Sequence, residues 1–303
     1  VLKLELHMSD KIPVLFDTDI GSDIDDAVAL AYLLKQPRCE LLGVTTVTGE
    51  PLVRAQLVDA VCQAFGRKEV PVYAGAGRPL LVAQRQPEVP QRTVLEKWPH
   101  RDKFGPNLAV DFLRQTIRSR PGEITLLSVG PLTNIGLLFA LDPEIPSLLK
   151  RWVLMGGVFT RSAPGGLEWN AMLDPHATAI AFAANAPGTR AVGLEVTTRC
   201  TMPAEECRRR FSQGPLRIVG EMAEVWFKGR PVITFHDPLA AAAVFEPELC
   251  RWQAGRVEVE LQSERLKGLT HFNPNAEKKP HEVAVDVTPE AFFKHYFEVV
   301  NLS

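Results

Sequence analysis

Between residues 12 and 196, short apolar runs alternate with segments whose apolar side chains recur every three or four positions. No other feature of the chain restricts the fold as much. Residues 12–16 read as a buried strand, and residues 24–34 as a helix with Ile24, Ala27, Val28, Ala31 and Leu34 on one face. A strand at 41–47, a helix at 52–65 stopped by Gly66, and a strand at 70–73 follow. Pro106 opens a helix to about residue 117, and a strand at 124–129 comes next. Helix 132–141, strand 152–155, helix 175–185 and strand 191–196 continue the alternation. Repeated strand–helix units predict an α/β fold: an open, mainly parallel, Rossmann-like sheet with helices on both faces. The tail departs from the rhythm, with strands expected at 257–261 and 283–287 and a helix at 289–300. No long linker interrupts the pattern, so residues 8–303 read as a single domain. Residues 1–7, ahead of Met8, read as a leader added to it.

Composition narrows the function. The chain has 303 residues and a formal net charge of −2, with its basic residues scattered. A protein that grips nucleic acid through phosphates needs a concentrated basic surface, so that class is excluded. The densest basic run, Arg208, Arg209 and Arg210, reads as a solvated helix face. No apolar stretch approaches the roughly 18 to 20 residues of a membrane span. The five cysteines are widely spaced and form no metal-type pair, which fits buried free thiols in a reducing, cytoplasmic setting.

The segment Phe16-Asp17-Thr18-Asp19-Ile20-Gly21-Ser22-Asp23-Ile24-Asp25-Asp26-Ala27 carries five aspartates in ten residues, where a buried strand gives way to a helix. Ligands bind beyond the C-terminal ends of strands in open α/β sheets. Carboxylates this close repel one another, and a helix N-terminus offsets only part of that. Helix capping accounts for Asp23 or Asp25 but not for Asp17 and Asp19 as well. A hard cation resolves the conflict, and oxygen-only ligation suits Ca²⁺ or Mg²⁺. An EF-hand starting at Asp17 is excluded, because Ser22 and Val28 stand where glycine and glutamate are required. A strand followed by Asp-x-Asp also opens the haloacid-dehalogenase phosphatases, and this segment alone leaves that Mg²⁺-dependent alternative open.

Four later segments bear on the choice: Val129-Gly130-Pro131-Leu132-Thr133-Asn134, Leu154-Met155-Gly156-Gly157, Glu168-Trp169-Asn170 with Asp174-Pro175, and Phe235-His236-Asp237-Pro238. Together with the aspartate segment, and in this order, they resemble the calcium-dependent nucleoside hydrolases, over residues 12 to 245. The resemblance implies hydrolysis of the N-glycosidic bond of a ribonucleoside. It implies Asp19, Asp26, Asp237 and the backbone carbonyl of Val129 as Ca²⁺ ligands, with Asp19 also taking a proton from the attacking water. Asp25, Glu168 and Asn170 would bind the ribose, Met155 would pack beside it, and His236 would protonate or hydrogen-bond the leaving base. The partner would be a free nucleoside, since no glycine-rich phosphate loop is present. A cytoplasmic homo-dimer or homo-tetramer is implied as well.

The chain departs from the family in several places. Its aspartate motif is two residues longer than the common Asp-x-Asp-x-Gly-x-Asp-Asp, and Asp23 is an alternative to Asp25 in the alignment. Glu50 follows Gly49 where an amide is usual, adding a carboxylate on the ribose side of the site. That substitution leaves open a non-catalytic sugar- or nucleoside-binding protein. The loop at 159–166 is one residue short, and His100 is only a loose echo of a family histidine loop. Residues 78–105 and 217–230 read as loops able to shape the base side.

Overall fold

Side chains on a strand point alternately to its two faces, and this alternation divides the core into two layers. In the computed structural model, which describes residues 11–160 and 166–302, Val14 and Phe16 of β1 (Ile12–Thr18) enter one layer and Leu15 the other. The leader expected at 1–7 and the middle of the 159–166 loop lie outside the described residues. β1 pairs in parallel with β2 (Cys39–Thr46), which pairs with β3 (Val72–Ala74). On its other side β1 pairs in parallel with β4 (Thr125–Ser128), followed by β5 (Arg151–Met155) and β6 (Thr189–Val192). The order β3-β2-β1-β4-β5-β6 changes direction between β1 and β4. That switch point is where open α/β sheets leave a crevice for ligands.

β7 (Thr201–Pro203) and β8 (Val232–Thr234) form a separate antiparallel ribbon. The main sheet is extended to nine strands by the tail: β9 (Cys250–Val259), β10 (Thr270–Asn273) and β11 (His281–Val287). β11 adds in parallel to β6, while β9 runs antiparallel to both β11 and β10.

On the Val14 and Phe16 side the sheet is covered by α1 (Asp25–Lys35), α2 (Pro51–Ala64) and three later helices. The opposite layer holds α3 (Ala109–Ser119), α4 (Thr133–Leu141), α5 (Ile145–Leu148) and, beyond the short α6 (Trp169–Leu173), α7 (Pro175–Ala183). Two short helices, α8 (Leu194–Thr197) and α9 (Ala204–Arg210), precede the remainder of the first layer: α10 (Leu216–Phe227), α11 (His236–Phe245) and α12 (Pro289–Val300). α11 is buried from Asp237 to Phe245, and its run Ala240 to Ala243 lets it pack closely on α1, itself rich in alanine. That packing sets the N-terminus of α11 beside the N-terminus of α1.

The structure corrects the sequence reading at four places. The strand expected through residue 196 ends at Val192, because the Gly193 carbonyl accepts from Val196 and Thr197 N–H groups and starts the α8 turn. The tail strand expected at 257 begins at Cys250, where Arg251, Gln253 and Gly255 break the apolar signal, and β10 is an unexpected edge strand of only four residues, Thr-His-Phe-Asn. Residues 216–227 are helix α10 and not a loop, with Ile218, Val219, Met222 and Ala223 buried. Residues 78–105 contain a 3₁₀ segment, Pro90–Glu96, that packs against α2 and α10. Other expectations hold: the three arginines at 208–210 lie on α9, paired with Glu206 and Glu224 at the surface, and all five cysteines are buried and free. Among the described residues, no helix is long and apolar enough to cross a membrane.

Candidate active site

The C-terminal end of β1 turns sharply at Gly21, whose φ of +114° suits glycine. A Cβ there would stand 2.5 Å from Val89 Cγ1 and 2.7 Å from Leu57 Cδ1. The turn delivers Asp19 to the crevice and then starts α1 with Asp25 and Asp26 in its first turn. α11 starts alongside, and the Asp237 N–H donates to Asp25 Oδ2 at 3.1 Å. One oxygen from each of Asp25, Asp26 and Asp237 lies within 4.8 Å of the others, and all three side chains are buried. Asp26 also accepts from the Thr18 hydroxyl and from the Asp19 N–H at 3.2 Å.

Asp17, the other strand aspartate, serves the scaffold. It accepts from the Thr45 hydroxyl and from Asn134 Nδ2 at 2.7 Å, and Asn134 in turn donates to the Thr46 carbonyl and accepts from the Ala76 N–H. Thr133 donates to Asp174, which also receives the N–H groups of Leu80 and Ala177. The Thr133-Asn134 and Asp174-Pro175 motifs thus join strand ends and helix starts without entering the crevice.

Asp19, Asp25, Asp26, Val129, Met155, Glu168, Asn170, His236 and Asp237 line a single pocket of about 480 Å³. Gly130 lets β4 approach Asp19, since a Cβ on it would stand 2.8 Å from Asp19 Oδ1. Asn170 Nδ2 donates to the Val129 carbonyl at 2.6 Å and reaches the Met155 carbonyl at 3.4 Å, tying the ends of β4 and β5. Glu168 caps α6 and accepts three backbone N–H groups, from Gly157, Asn170 and Ala171. His236 opens α11 with Nδ1 2.7 Å from the Thr197 hydroxyl.

Glu50 is the exception among the expected residues. It faces away from this pocket, pairs with Arg92 at 2.8 Å and lines a neighbouring depression under residues 77–87. The extra carboxylate therefore does not line this pocket. His100 is also outside, its Nδ1 2.8 Å from the Trp98 carbonyl.

The pocket contains residues that sequence reasoning did not single out. Gln86 donates to Asp19 Oδ2 and accepts from the Trp169 indole, while Trp226 and Arg230 line the mouth with Arg230 stacked 4.8 Å from the Trp226 ring. Trp169 sits inside a quoted motif and Gln86 inside the 78–105 segment, so position was the available signal. Arg54 gave none: a lone arginine on a helix reads as a surface residue, yet here it is fully buried beneath Asp19.

Residues 14–294 match the model of the inosine-uridine preferring nucleoside hydrolase family. The chain belongs to that family. Among its curated relatives is a pyrimidine-specific ribonucleoside hydrolase, RihA, of Citrobacter koseri. It is 30% identical over 313 residues, which span 93% of this chain and 95% of the relative. Uridine nucleosidase 1 of Arabidopsis thaliana is 28% identical over 93% of this chain and 91% of its own. Among solved structures, a purine-preferring ribonucleoside hydrolase from Gardnerella vaginalis superposes with a TM-score of 0.83 at 25% identity, covering 95% of this chain and 98% of that one. As a nucleoside hydrolase the protein is an N-glycosyl hydrolase of ribonucleosides, and the phosphatase alternative is set aside.

The electrostatics of this nucleoside hydrolase site call for a cation. Burial, reinforced by neighbouring aspartates, pushes the Asp25, Asp26 and Asp237 carboxyls well above the usual range. Burial raises Asp23 to about 6, and it raises Asp19 against the opposing pull of Arg54 and Gln86. Glu168 is raised by burial, although its three backbone donors oppose the shift. Burial lowers the His236 imidazole to about 4, which favours its neutral, hydrogen-bonding form at pH 7. An all-oxygen, buried and mutually repelling donor set fits a hard divalent cation.

The sign of the pH dependence follows. Carboxyls raised in the folded state hold protons there that the unfolded chain has released, so metal-free protein loses stability as pH rises from about 4 through the folded values. A bound dication makes the ionised forms favourable and reverses that loss. A divalent cation added to chelator-treated protein should raise Tm at pH 8 and raise it less at pH 6. Scanning calorimetry showing no gain, or a larger gain at pH 6, would contradict this account.

Proposed function

We propose that the protein hydrolyses ribonucleosides to free base and ribose with one Ca²⁺ per chain, Asp19 receiving the proton of the attacking water. The observation that carries the reading is the trio Asp25, Asp26 and Asp237, closed to within 4.8 Å at the switch point of the sheet and facing the pocket. Asp26, Asp237, Asp19 and the Val129 carbonyl hold the ion. Bound there, it would supply Lewis acidity, lowering the pKa of a water molecule in the pocket. Asp25, inside the trio, and Asn170 meet the ribose hydroxyls, with Met155 packed beside the sugar. Glu168 orients this wall through its three backbone bonds.

In the reaction the ribosyl C–N bond breaks, the water oxygen bonds to the anomeric carbon, and one water proton passes to Asp19; the base departs with the bonding pair and takes a proton from solvent, to which Asp19 returns its own before the next turnover. Positive charge grows on the sugar ring in the transition state. The carboxylates below it stabilise that charge, and their fixed positions avoid reorganisation as it develops. His236 completes the base side as a neutral hydrogen-bonding imidazole: with the Thr197 hydroxyl donating to Nδ1, Nε2 carries the hydrogen offered to the base. The names of the relatives include both pyrimidine- and purine-directed enzymes, which supports ribonucleosides as the class. Residues 8–303 then act as one unit. The family resemblance carries an assembly of two or four chains in the cytoplasm.

Release of base and ribose over a panel of purine and pyrimidine ribonucleosides tests the reading, and an inactive metal-loaded protein would defeat it. Asp19→Asn keeps an oxygen in place and removes the base, so turnover should fall about 10²-fold or more while calcium, measured by elemental analysis, stays bound. Near-normal turnover would assign water activation to another group. His236→Ala should slow uridine or inosine about 10²-fold, yet leave a nitrophenyl riboside, whose leaving group needs no donor, within about tenfold. Equal losses on both substrates with calcium retained would remove His236 from leaving-group stabilisation.

A further inference from the structure

We infer that Arg54 is a positioning residue whose buried guanidinium holds the Asp19 turn and residues 86–91 together as one wall of the active site. The inference rests on the hydrolase reading for its kinetic consequence, and on geometry for its placement.

Arg54 lies on α2 and is fully buried. Its Nε donates to the Thr48 carbonyl at 2.9 Å. Nη1 donates to the Asp19 carbonyl, to the Ile20 carbonyl at 3.0 Å and to the Ser22 hydroxyl at 3.0 Å. Nη2 reaches the Glu88 carbonyl at 3.3 Å. One side chain thus ties three separate segments: the turn after β1, the turn after β2, and the long segment that supplies Gln86.

The surroundings are shaped to it. Gly49 has φ +57°, and a Cβ there would stand 3.1 Å from Nη2. A Cβ on Gly21 would stand 3.8 Å from Nη1. Both glycine turns pass close to the guanidinium. Burying a charge is costly unless it is hydrogen-bonded and compensated. Every acceptor of Arg54 is a backbone carbonyl or a hydroxyl, and the compensating charge comes at longer range from the Asp19 and Asp26 carboxylates. The arrangement therefore uses the planar fork for geometry and the charge for the field of the cluster. A lysine supplies a point charge and lacks the fork.

Above this clamp, residues 86–91 lie on the aspartate turn. Gln91 donates from its backbone to the Gly21 carbonyl at 3.1 Å and from Nε2 to the Asp23 carbonyl at 2.9 Å, and the Ser22 hydroxyl reaches the Glu88 carbonyl at 3.3 Å. The same segment presents Gln86 to Asp19 and to Trp169. Releasing Arg54 would free both partners of the contact that orients the Asp19 carboxylate. The rest of the ribose wall, built on β4, β5 and α6, would stay in place.

The test compares wild type with Arg54→Met and Arg54→Lys in the full chain. Groups that orient ligands from behind typically contribute 10- to 100-fold, so kcat should fall about tenfold or more in Arg54→Met while KM changes little. Arg54→Lys should recover only part of that loss. Titration of chelator-treated protein with calcium chloride should show weaker binding in Arg54→Met. Hydrogen exchange should quicken at residues 19–23 and 86–91 and stay unchanged in α12. Folded Arg54→Met with unaltered kcat and calcium binding would overturn the inference. So would faster exchange spread evenly through α12, which would reduce Arg54 to a general contribution to stability. An inactive wild type would instead defeat the hydrolase reading, and the exchange and calcium measurements would still decide the clamp.

Discussion

Buried carboxylates that repel one another are the constraint on which this structure turns. Asp25, Asp26 and Asp237 occupy the same few ångströms at the ends of two helices, with Asp19 and Asp23 close by. Left alone, such a group protonates or forces the structure apart. The fold counters this with the N-termini of α1 and α11, with backbone and hydroxyl donors, and with the cation Arg54 underneath. These terms offset the repulsion in part, and what remains favours a bound metal ion. The same concentration of carboxylates favours a sugar that develops positive charge.

Placing the cluster depends on elements far apart in sequence. β1 and β4 part at the switch point and open the crevice, while the alanine-rich contact of α1 with α11 fixes how near Asp237 comes to Asp25 and Asp26. Asn134 and Asp174 join neighbouring strands and helices just below the crevice, and Asn170 joins β4 to β5 at its rim. Conserving charge alone would not preserve such a site; it needs small residues at Gly21 and Gly130, where the chain passes close to Asp19 and its supports.

Much of this was legible in the sequence because it is written in local patterns. The alternation of apolar strands with helical periods gave the sheet from β1 to β6, and the dense aspartates at the end of the first strand marked the pocket. Glu50 misled because adjacency to a motif says nothing about rotamer: its side chain turns outward to Arg92. His236 was found by position, yet its neutral state comes from packing that no local pattern reports. β9 was obscured by the polar and charged residues of an outer strand and β10 by its four-residue length, while α10 shows its buried face only once Ile218, Val219, Met222 and Ala223 are packed. Arg54 was invisible, and Gln86 was marked only by its segment, for a plain reason. Their partners are backbone carbonyls and side chains brought near only by the tertiary fold.

The account rests on an ion held between Asp26 and Asp237, beside Asp19, and anomalous diffraction tests it most directly. Crystals grown with calcium and ribose should give one anomalous peak per chain beyond the ends of β1 and β4, within coordination distance of Asp26 and Asp237, at roughly the 2.3–2.6 Å that calcium keeps to oxygen. A pocket holding ribose with no peak there, or with the ion bound elsewhere, would contradict it.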